Sequence, residues 1–256
     1  MSTTPNLHIP ILYGSQTGNS QACAESLAES LPKELYKTNI SSRTIDISSS
    51  AQQLDDFLEV ERAAWPRFLI IITSSYGVGQ APLGCWTFRD LCDAILEKDD
   101  NDSNGNNNEI ALKGVKFAML GLGDSKYSTF FLNPTALDTA LSKAGAERIG
   151  LLGKADASGV DDNAQSLVMK KWCHDIITEV SRVVKGITEE GDDEKQKYDE
   201  LLKTAKDTTC AMCNELFDDW ETSGNDSEED DKESNSRYVI LIVILAVVVA
   251  FLINNE

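Results

Sequence analysis

Residues 68–73 read Phe-Leu-Ile-Ile-Ile-Thr, a continuous run of mostly apolar side chains rich in β-branched residues. Such a run is typical of a strand that is buried on both faces of a parallel sheet. Shorter runs of similar character lie at 8–13, 43–47, 115–120 and 148–152. Stretches with helical spacing separate them at 22–31, 86–96, 133–144 and 163–184. This alternation predicts an α/β fold in which helices cover both faces of a parallel sheet.

The charge of the chain is strongly negative but unevenly distributed. The 256 residues carry a formal charge of −19, and residues 186–236 alone hold 18 Asp or Glu against 5 Lys or Arg. We expect no nucleic-acid partner, because binding to phosphates requires clustered Lys and Arg. The balance does permit docking onto basic proteins.

The six cysteines have neither the density nor the spacing of a disulfide framework. Cys23, Cys85, Cys92 and Cys173 lie in apolar stretches, so we expect reduced thiols, as in the cytosol. The Cys-Ala-Met-Cys segment at 210–213 has the spacing of a redox or metal pair. Since the chain has only two histidines and zinc normally requires four ligands, we expect no metal site.

The last part of the chain is apolar. Residues 238–253 are 16 consecutive apolar residues, which as a helix would span about 24 Å. A membrane with a core of ~27 Å, or Tyr238 and Arg237 at headgroup level, would fit this length. We interpret 237–253 as a transmembrane tail anchor rather than a buried core element. The domain would then be cytosolic, with the endoplasmic reticulum favoured over the mitochondrial outer membrane.

The sequence therefore divides into three parts, of which the predicted anchor at 237–253 is the last. Residues 1–185 are predicted to form the α/β domain, and residues 186–236 an acidic linker with a possible amphipathic helix over 193–220. Residues 98–109, rich in Asn and Asp, are predicted to form a surface loop.

A loop at 14–20 follows the first predicted strand and reads Gly-Ser-Gln-Thr-Gly-Asn-Ser. Its hydroxyls, its amide and the N-terminus of the next helix favour a phosphate cradle without Lys or Arg. It is neither a Walker loop nor a dinucleotide fingerprint, and its neutral donors suit a single terminal monophosphate. The alternative is an ordinary N-capped helix.

Two further loops follow the third and fourth predicted strands. Residues 73–79 contain Tyr76 before Gly77, and residues 121–131 contain Tyr127. Each alone could be a turn with an incidental aromatic residue. Because the carboxyl ends of parallel strands form a common crevice, the three loops together predict a phosphate site with two aromatic walls for a flat ring.

These loops resemble the FMN domain of the diflavin reductases, such as cytochrome reductase, sulfite reductase flavoprotein and methionine synthase reductase. The resemblance covers about residues 9–184, and Gly-Leu-Gly-Asp-Ser-Lys-Tyr at 121–127 is its most specific motif. It implies a flavodoxin-like, doubly wound sheet of five parallel strands in the order 2-1-3-4-5. It also implies FMN as cofactor and electron transfer as function.

The resemblance further implies roles for individual residues. Tyr76 and Tyr127 would stack on opposite faces of the flavin ring, and Gly77 would offer its carbonyl to flavin N5. No catalytic residue and no metal ligand is implied. The FMN-binding residues would be Ser15, Gln16, Thr17, Gly18, Asn19, Ser20, Ser74, Ser75, Tyr76, Gly77, Leu122, Gly123, Asp124, Ser125, Lys126, Tyr127, Ser128, Thr129, Phe130, Phe131 and Asp156.

The sequence also departs from the family pattern. Val78 and Gln80 stand where acidic residues are frequent, and Phe130 and Phe131 replace an Asn or His. Nothing after the domain resembles an FAD- and NADPH-binding region. We therefore expect a separate NADPH- or NADH-dependent reductase as electron donor and a membrane-associated redox protein as acceptor. The alternatives are an FMN-dependent quinone-type reductase and a flavin-free, membrane-anchored adaptor.

Overall fold

The computed structural model describes residues 6–37, 45–61, 65–97, 112–189 and 191–223. The predicted loop at 98–109 and the predicted anchor at 237–253 lie outside these residues. The strands are β1 (Asn6–Gly14), β2 (Asp46–Gln53), β3 (Phe68–Ser74), β4 (Lys116–Gly123), β5 (Glu147–Arg148) and β6 (Gly153–Asp156). The helices are α1 (Asn19–Lys37), α2 (Leu54–Glu61), α3 (Trp86–Glu97), α4 (Leu132–Lys143), α5 (Gln165–Glu189) and α6 (Asp192–Ser223), with a 3₁₀ turn at Asp161–Asn163.

All strand pairs in the sheet are parallel, and the strand order is β2-β1-β3-β4-β5. This confirms the predicted α/β architecture and the predicted order. The apolar run at 68–73 is the central strand β3, where every residue from Phe68 to Thr73 is buried. Helices cover both faces, as the right-handed crossovers between parallel strands require.

The fifth strand is divided in two. β5 pairs with the start of β4 and β6 with its end, so both lie along the same side of β4. Gly150 between them adopts a positive φ of 70°, which a regular strand does not allow. The Leu151 carbonyl accepts a hydrogen bond of 3.0 Å from Trp172 Nε1 in place of a strand partner. The single strand predicted at 148–152 is therefore interrupted where it was expected to be continuous.

The end of one other strand differs from the prediction. β2 continues to Gln53, well past the predicted end at residue 47, and α2 follows it directly. The polar stretch after Ile47 has no strand-like pattern, but it pairs residue by residue with β1. His8 makes 3.0 Å hydrogen bonds to the Ser48 and Ser50 hydroxyls across this pair. Tertiary pairing here overrides local propensity.

The acidic segment contains the long helix α6, and its residues up to Cys213 belong to the same compact unit as the sheet. Ala205, Thr209 and Met212 are buried. Of the second unit, from Asn214 onward, the structure describes only the end of α6. Within the described residues, no helix combines the length and the apolar character of a membrane span.

Candidate functional site

The ends of four neighbouring strands lie side by side, and we call this row the carboxyl edge. Gly14 of β1 pairs in register with Thr73 of β3. Thr73 in turn pairs with Gly121 of β4, and Gly121 pairs with Lys154 of β6. At a spacing of ~4.8 Å between strands, the ends of β1 and β4 are about 10 Å apart. The three predicted loops therefore leave the sheet from adjacent positions, with the Tyr76 loop in the middle.

The first loop turns tightly from β1 into α1. Gly18 has a positive φ of 89°, and its N–H donates a 3.1 Å hydrogen bond to the Ser15 hydroxyl. The Gly18 carbonyl accepts from Ala22 N–H at 2.9 Å, which starts the helix. Ser20, in the first turn of α1, is only 1% exposed, and its hydroxyl has no hydrogen-bond partner among the described residues. A buried hydroxyl without a partner is costly, so it marks a place where a ligand acceptor would fit.

The space beside Gly18 in this loop is open. A Cβ added at Gly18 would meet no atom within 4 Å. Thr17 and Asn19 are exposed, and Gln16 is half-buried. The loop is fixed from behind, since Ser15 N–H donates a 3.0 Å hydrogen bond to the Leu83 carbonyl. The loop thus presents neutral donors at a helix N-terminus, which is a favourable place for an anion.

The second loop is a closed turn that exposes a tyrosine. Tyr76 and Gln80 are bridged in both directions, with N–H···O distances of 3.0 and 2.8 Å. Gly77 and Gly79 at its tip have φ of 51° and 93°. A Cβ at Gly79 would lie 2.6 Å from Leu132 Cδ1, so close packing also requires glycine there. Tyr76 is 50% exposed, and its ring is available for stacking.

The third loop brings the second tyrosine to the same edge. Tyr127 is 65% exposed. The Thr129 hydroxyl donates a 3.1 Å hydrogen bond to the Gly77 carbonyl and so joins the third loop to the second. Ser125, Lys126 and Ser128 of this loop are exposed as well. The two predicted aromatic walls therefore belong to two loops that are in direct contact.

Not every residue of the third loop faces solvent. Phe131 is 4% exposed, and its ring lies so close to Gly121 that a Cβ there would be 2.3 Å from Phe131 Cε2. Phe130 packs in the same way against Gly123, and Leu122 is buried in β4. These three side chains form the floor beneath the loops.

Two carboxylates hold the rim of the third loop. Asp156, at the end of β6, accepts hydrogen bonds of 2.9 Å from the N–H groups of Ser125 and Ser158. Asp124 accepts from the Ser158 hydroxyl and from Lys126 N–H. Hydrogen bonds from Ser125 lower the pKa of Asp156, and the bond from Ser158 lowers the pKa of Asp124. Both carboxylates act as anchors of the loop backbone.

Sequence reasoning missed two residues that support the site. Asn133, fully buried at the start of α4, donates to the Ser74 carbonyl at 3.0 Å and to the Thr73 hydroxyl at 3.3 Å. Its own N–H donates to the Ser75 hydroxyl at 3.1 Å. Ser158 bridges the two carboxylates described above. A Ser two residues after an Asp is a known turn signal, whereas the role of Asn133 requires contacts between distant segments.

The chain is similar in sequence to several known proteins. The sequence model of one family, Flavodoxin, matches residues 11–172. The NADPH-dependent diflavin oxidoreductase 1 of Schizosaccharomyces pombe is 28% identical over 181 residues, which are 70% of this chain and 26% of that protein. The NADPH–cytochrome P450 reductase of Saccharomyces cerevisiae is 32% identical over 157 residues, 60% of this chain and 19% of that protein.

Among solved structures, oxidised Flavodoxin 1 from Bacillus cereus is 19% identical and covers 67% of this chain and 95% of its own, with a TM-score of 0.44. The NADPH sulfite reductase flavoprotein alpha-component of Shewanella sp. strain ANA-3 is 27% identical over 69% of this chain and 24% of that protein. The chain spans about a quarter or less of the length of these curated relatives. The matched region contains all three loops and Asp156.

Proposed function

We propose a function from one premise: the chain belongs to the flavodoxin family. Flavodoxins bind FMN, and this chain is an electron-transfer domain of that type, homologous to the diflavin reductases. Our proposal is that it carries electrons between a reductase and an acceptor at a membrane, with FMN bound at the carboxyl edge.

The observation that carries the proposal is the Ser20 hydroxyl. It is buried and has no hydrogen-bond partner among the described residues, and it lies in the first turn of α1 at the end of the 14–20 loop. The phosphate of FMN supplies acceptor oxygens for such a group, and α1 adds the partial positive charge of its N-terminus. The residues present therefore fit the cofactor.

Each loop has a distinct part in this proposal. Residues 15–20 bind the phosphate, and Tyr76 and Tyr127 supply the aromatic surfaces that hold the ring. The hydrogen bond from Thr129 to Gly77 keeps the two tyrosine loops at a fixed separation. Asp156 orients the backbone of the third loop. When bound, FMN supplies the ability to accept and give electrons one at a time.

We propose a separate NADPH- or NADH-dependent reductase as the electron donor. Three of the relatives described above are named for the use of NADPH. For the acceptor we propose a membrane-associated redox protein, with residues 237–253 as the anchor and the endoplasmic reticulum as the membrane. An anchor of this kind limits the search for a partner to a surface and so raises its effective concentration.

The cofactor proposal is tested by titrating the full chain with FMN and with riboflavin, which has the same ring and no phosphate. The full chain should bind FMN more tightly than riboflavin. Ser20→Ala should lower FMN affinity by about ten- to a hundredfold, as expected for losing a hydrogen bond to a charged group, and leave riboflavin affinity unchanged.

Ser30→Ala is the matched control for this titration. Ser30 lies on the same helix, and its hydroxyl donates to the Leu27 carbonyl away from the loop. This variant should bind both ligands like the wild type. Equal affinity for FMN and riboflavin would refute the phosphate site, and binding of neither would favour the flavin-free adaptor.

The electron-carrier role is tested by adding NADPH to the FMN-loaded chain. We expect the flavin absorbance to persist with NADPH alone and to bleach when a catalytic amount of a diflavin reductase is also present. Bleaching by NADPH alone would favour the quinone-type reductase.

The anchor is tested by the association of the full chain with phospholipid vesicles. Val247→Arg, in the middle of the apolar run, should weaken insertion, since a central Arg costs about 2.5–3.5 kcal/mol. Leu151→Arg is the control, because Leu151 is 85% exposed on the described domain. Equal vesicle binding by the two variants would exclude the anchor.

A further inference from the structure

Two cysteines from opposite ends of the domain sequence are in contact. Cys23 on α1 and Cys173 on α5 are 150 positions apart, and their Sγ atoms are 3.8 Å from each other. Both are half-buried and pack against the apolar core beneath the two helices. No disulfide joins any of the six cysteines, all of which lie in the described part of the chain.

We propose that Cys23 and Cys173 form an intramolecular disulfide when the protein meets a peroxide, and that this bond fastens α1 to α5. A disulfide has an S–S distance of about 2.05 Å, so the two sulfurs must approach by roughly 1.8 Å. The proposal requires rotation of the two short side chains and a small shift of the helices to supply this distance. Of the two helices that the bond would join, α1 is the one that begins at the 14–20 loop.

The surroundings of the pair differ from those of the other core cysteines. Cys85 and Cys92 are fully buried, and burial raises the pKa of the Cys85 thiol to about 12. The pKa of Cys23 is instead lowered, because the Cys173 thiol can donate a hydrogen bond to its sulfur. The thiolate is the reactive form of cysteine, and partial exposure gives a small oxidant access. In this proposal Cys23 attacks first and Cys173 resolves, although the cross-link forms equally well in the reverse order, because either thiol can donate the hydrogen bond between them.

The chemistry balances with hydrogen peroxide as oxidant. The Cys23 thiolate attacks one peroxide oxygen, the O–O bond breaks, and the leaving hydroxide takes up a proton to give water. The Cys173 sulfur then attacks the sulfenic acid formed at Cys23, its S–O bond breaks, and the second oxygen leaves as water. Two thiols lose two electrons and two protons, and one peroxide becomes two waters.

The test uses the full chain without added FMN, so its outcome is independent of the cofactor proposal. Protein purified with a reductant is treated with a stoichiometric amount of hydrogen peroxide and digested without reduction. We expect a peptide containing Cys23 linked to one containing Cys173, with a mass lower by two hydrogens. Since the bond closes a long loop, we also expect Tm to rise by roughly 5 °C or more and to return with dithiothreitol.

Three variants control this experiment. Cys23→Ser and Cys173→Ser should each abolish both the cross-link and the rise in Tm. The double variant Cys210→Ser, Cys213→Ser should retain both. A cross-link only between Cys210 and Cys213, or oxidation of Cys23 to the sulfinic acid without a cross-link, would overturn the proposal. If the serine variants fail to fold, the peptide map of the wild type alone decides.

Discussion

Two exposed tyrosines at one edge of the sheet contrast with a buried tryptophan at the opposite edge. At the carboxyl edge, Tyr76 and Tyr127 are 50% and 65% exposed. At the opposite edge, which we call the amino edge, Trp65 precedes β3 and is only 4% exposed. Trp65 Nε1 donates a 2.9 Å hydrogen bond to the Thr209 hydroxyl on α6. The chain thus covers the Trp65 ring itself and leaves the rings of Tyr76 and Tyr127 uncovered.

Charged groups at the amino edge also have partners within the chain. The Arg67 guanidinium lies 3.8 Å from the centre of the Tyr198 ring on α6, and Lys116 pairs with Glu147. A cavity of about 250 Å³ lies there, but these same side chains line it. At the carboxyl edge the Ser20 hydroxyl has no such partner among the described residues. We infer that the amino edge serves stability and the carboxyl edge serves binding.

The largest effect is expected from a substitution at the amino edge, which should reduce stability and leave FMN binding unchanged. Trp65→Ala should lower the free energy of unfolding by about 3–5 kcal/mol, because it removes a buried ring that packs against Phe57 and Phe88. FMN affinity, measured on the folded protein, should change less than twofold. Guanidinium denaturation and an FMN titration provide the two values. Leu151→Ala, at an exposed position, is the control, and a large loss of FMN affinity in Trp65→Ala would contradict the separation of the edges.

The sequence is informative about the carboxyl edge because strand ends mark it directly. The apolar run at 68–73 and the runs at 8–13 and 115–120 place three loops at that edge, and the structure confirms the order of the strands. The FMN-binding roles of the individual loop residues stay a prediction. The contacts of the amino edge are harder to predict from the sequence, because Trp65 and Arg67 contact residues of α6 that are more than 130 positions away. The extension of β2 from Ser48 to Gln53 is not predicted for the same reason, since only pairing with β1 makes this polar stretch a strand.

The next largest effect is expected at Asn133, which holds the start of the Tyr76 loop and should therefore affect both stability and binding. Asn133→Leu leaves the Ser74 carbonyl and the Thr73 hydroxyl without a buried donor. The free energy of unfolding should fall by about 1–3 kcal/mol, and FMN affinity should fall too, because Ser74 leads into the Tyr76 loop. Thr139→Ala, on the exposed face of the same helix, should change neither. A loss of stability with unchanged FMN affinity would show that Asn133 contributes to stability alone, as the residues of the amino edge do.

A smaller effect, confined to binding, is expected at Tyr127. Because its ring is mostly exposed, Tyr127→Ala should change the free energy of unfolding of the FMN-free protein by less than about 0.5 kcal/mol. The same variant should raise the Kd for FMN by about 2- to 13-fold, which corresponds to the stacking of one aromatic pair. Tyr127→Phe retains the ring and should bind FMN like the wild type. If Tyr127→Ala were destabilised but bound FMN normally, the assignment of binding to the carboxyl edge would be contradicted.

The smallest expected effect concerns the carboxylate that fixes the third loop. Hydrogen bonds from Ser125 and from the Ser158 N–H hold the pKa of Asp156 below its usual value in the folded protein. The stabilisation by Asp156 is therefore fully present above the unfolded pKa of about 3.9 and is lost as the pH falls through the lower folded value. At pH 7 the Tm of Asp156→Asn should lie roughly 1–2 °C below that of the wild type, and the two should converge as the pH falls toward 3. A difference that persists unchanged at low pH would mean that the charge of Asp156 does not hold the loop, and that the rim of the carboxyl edge depends on side-chain shape alone.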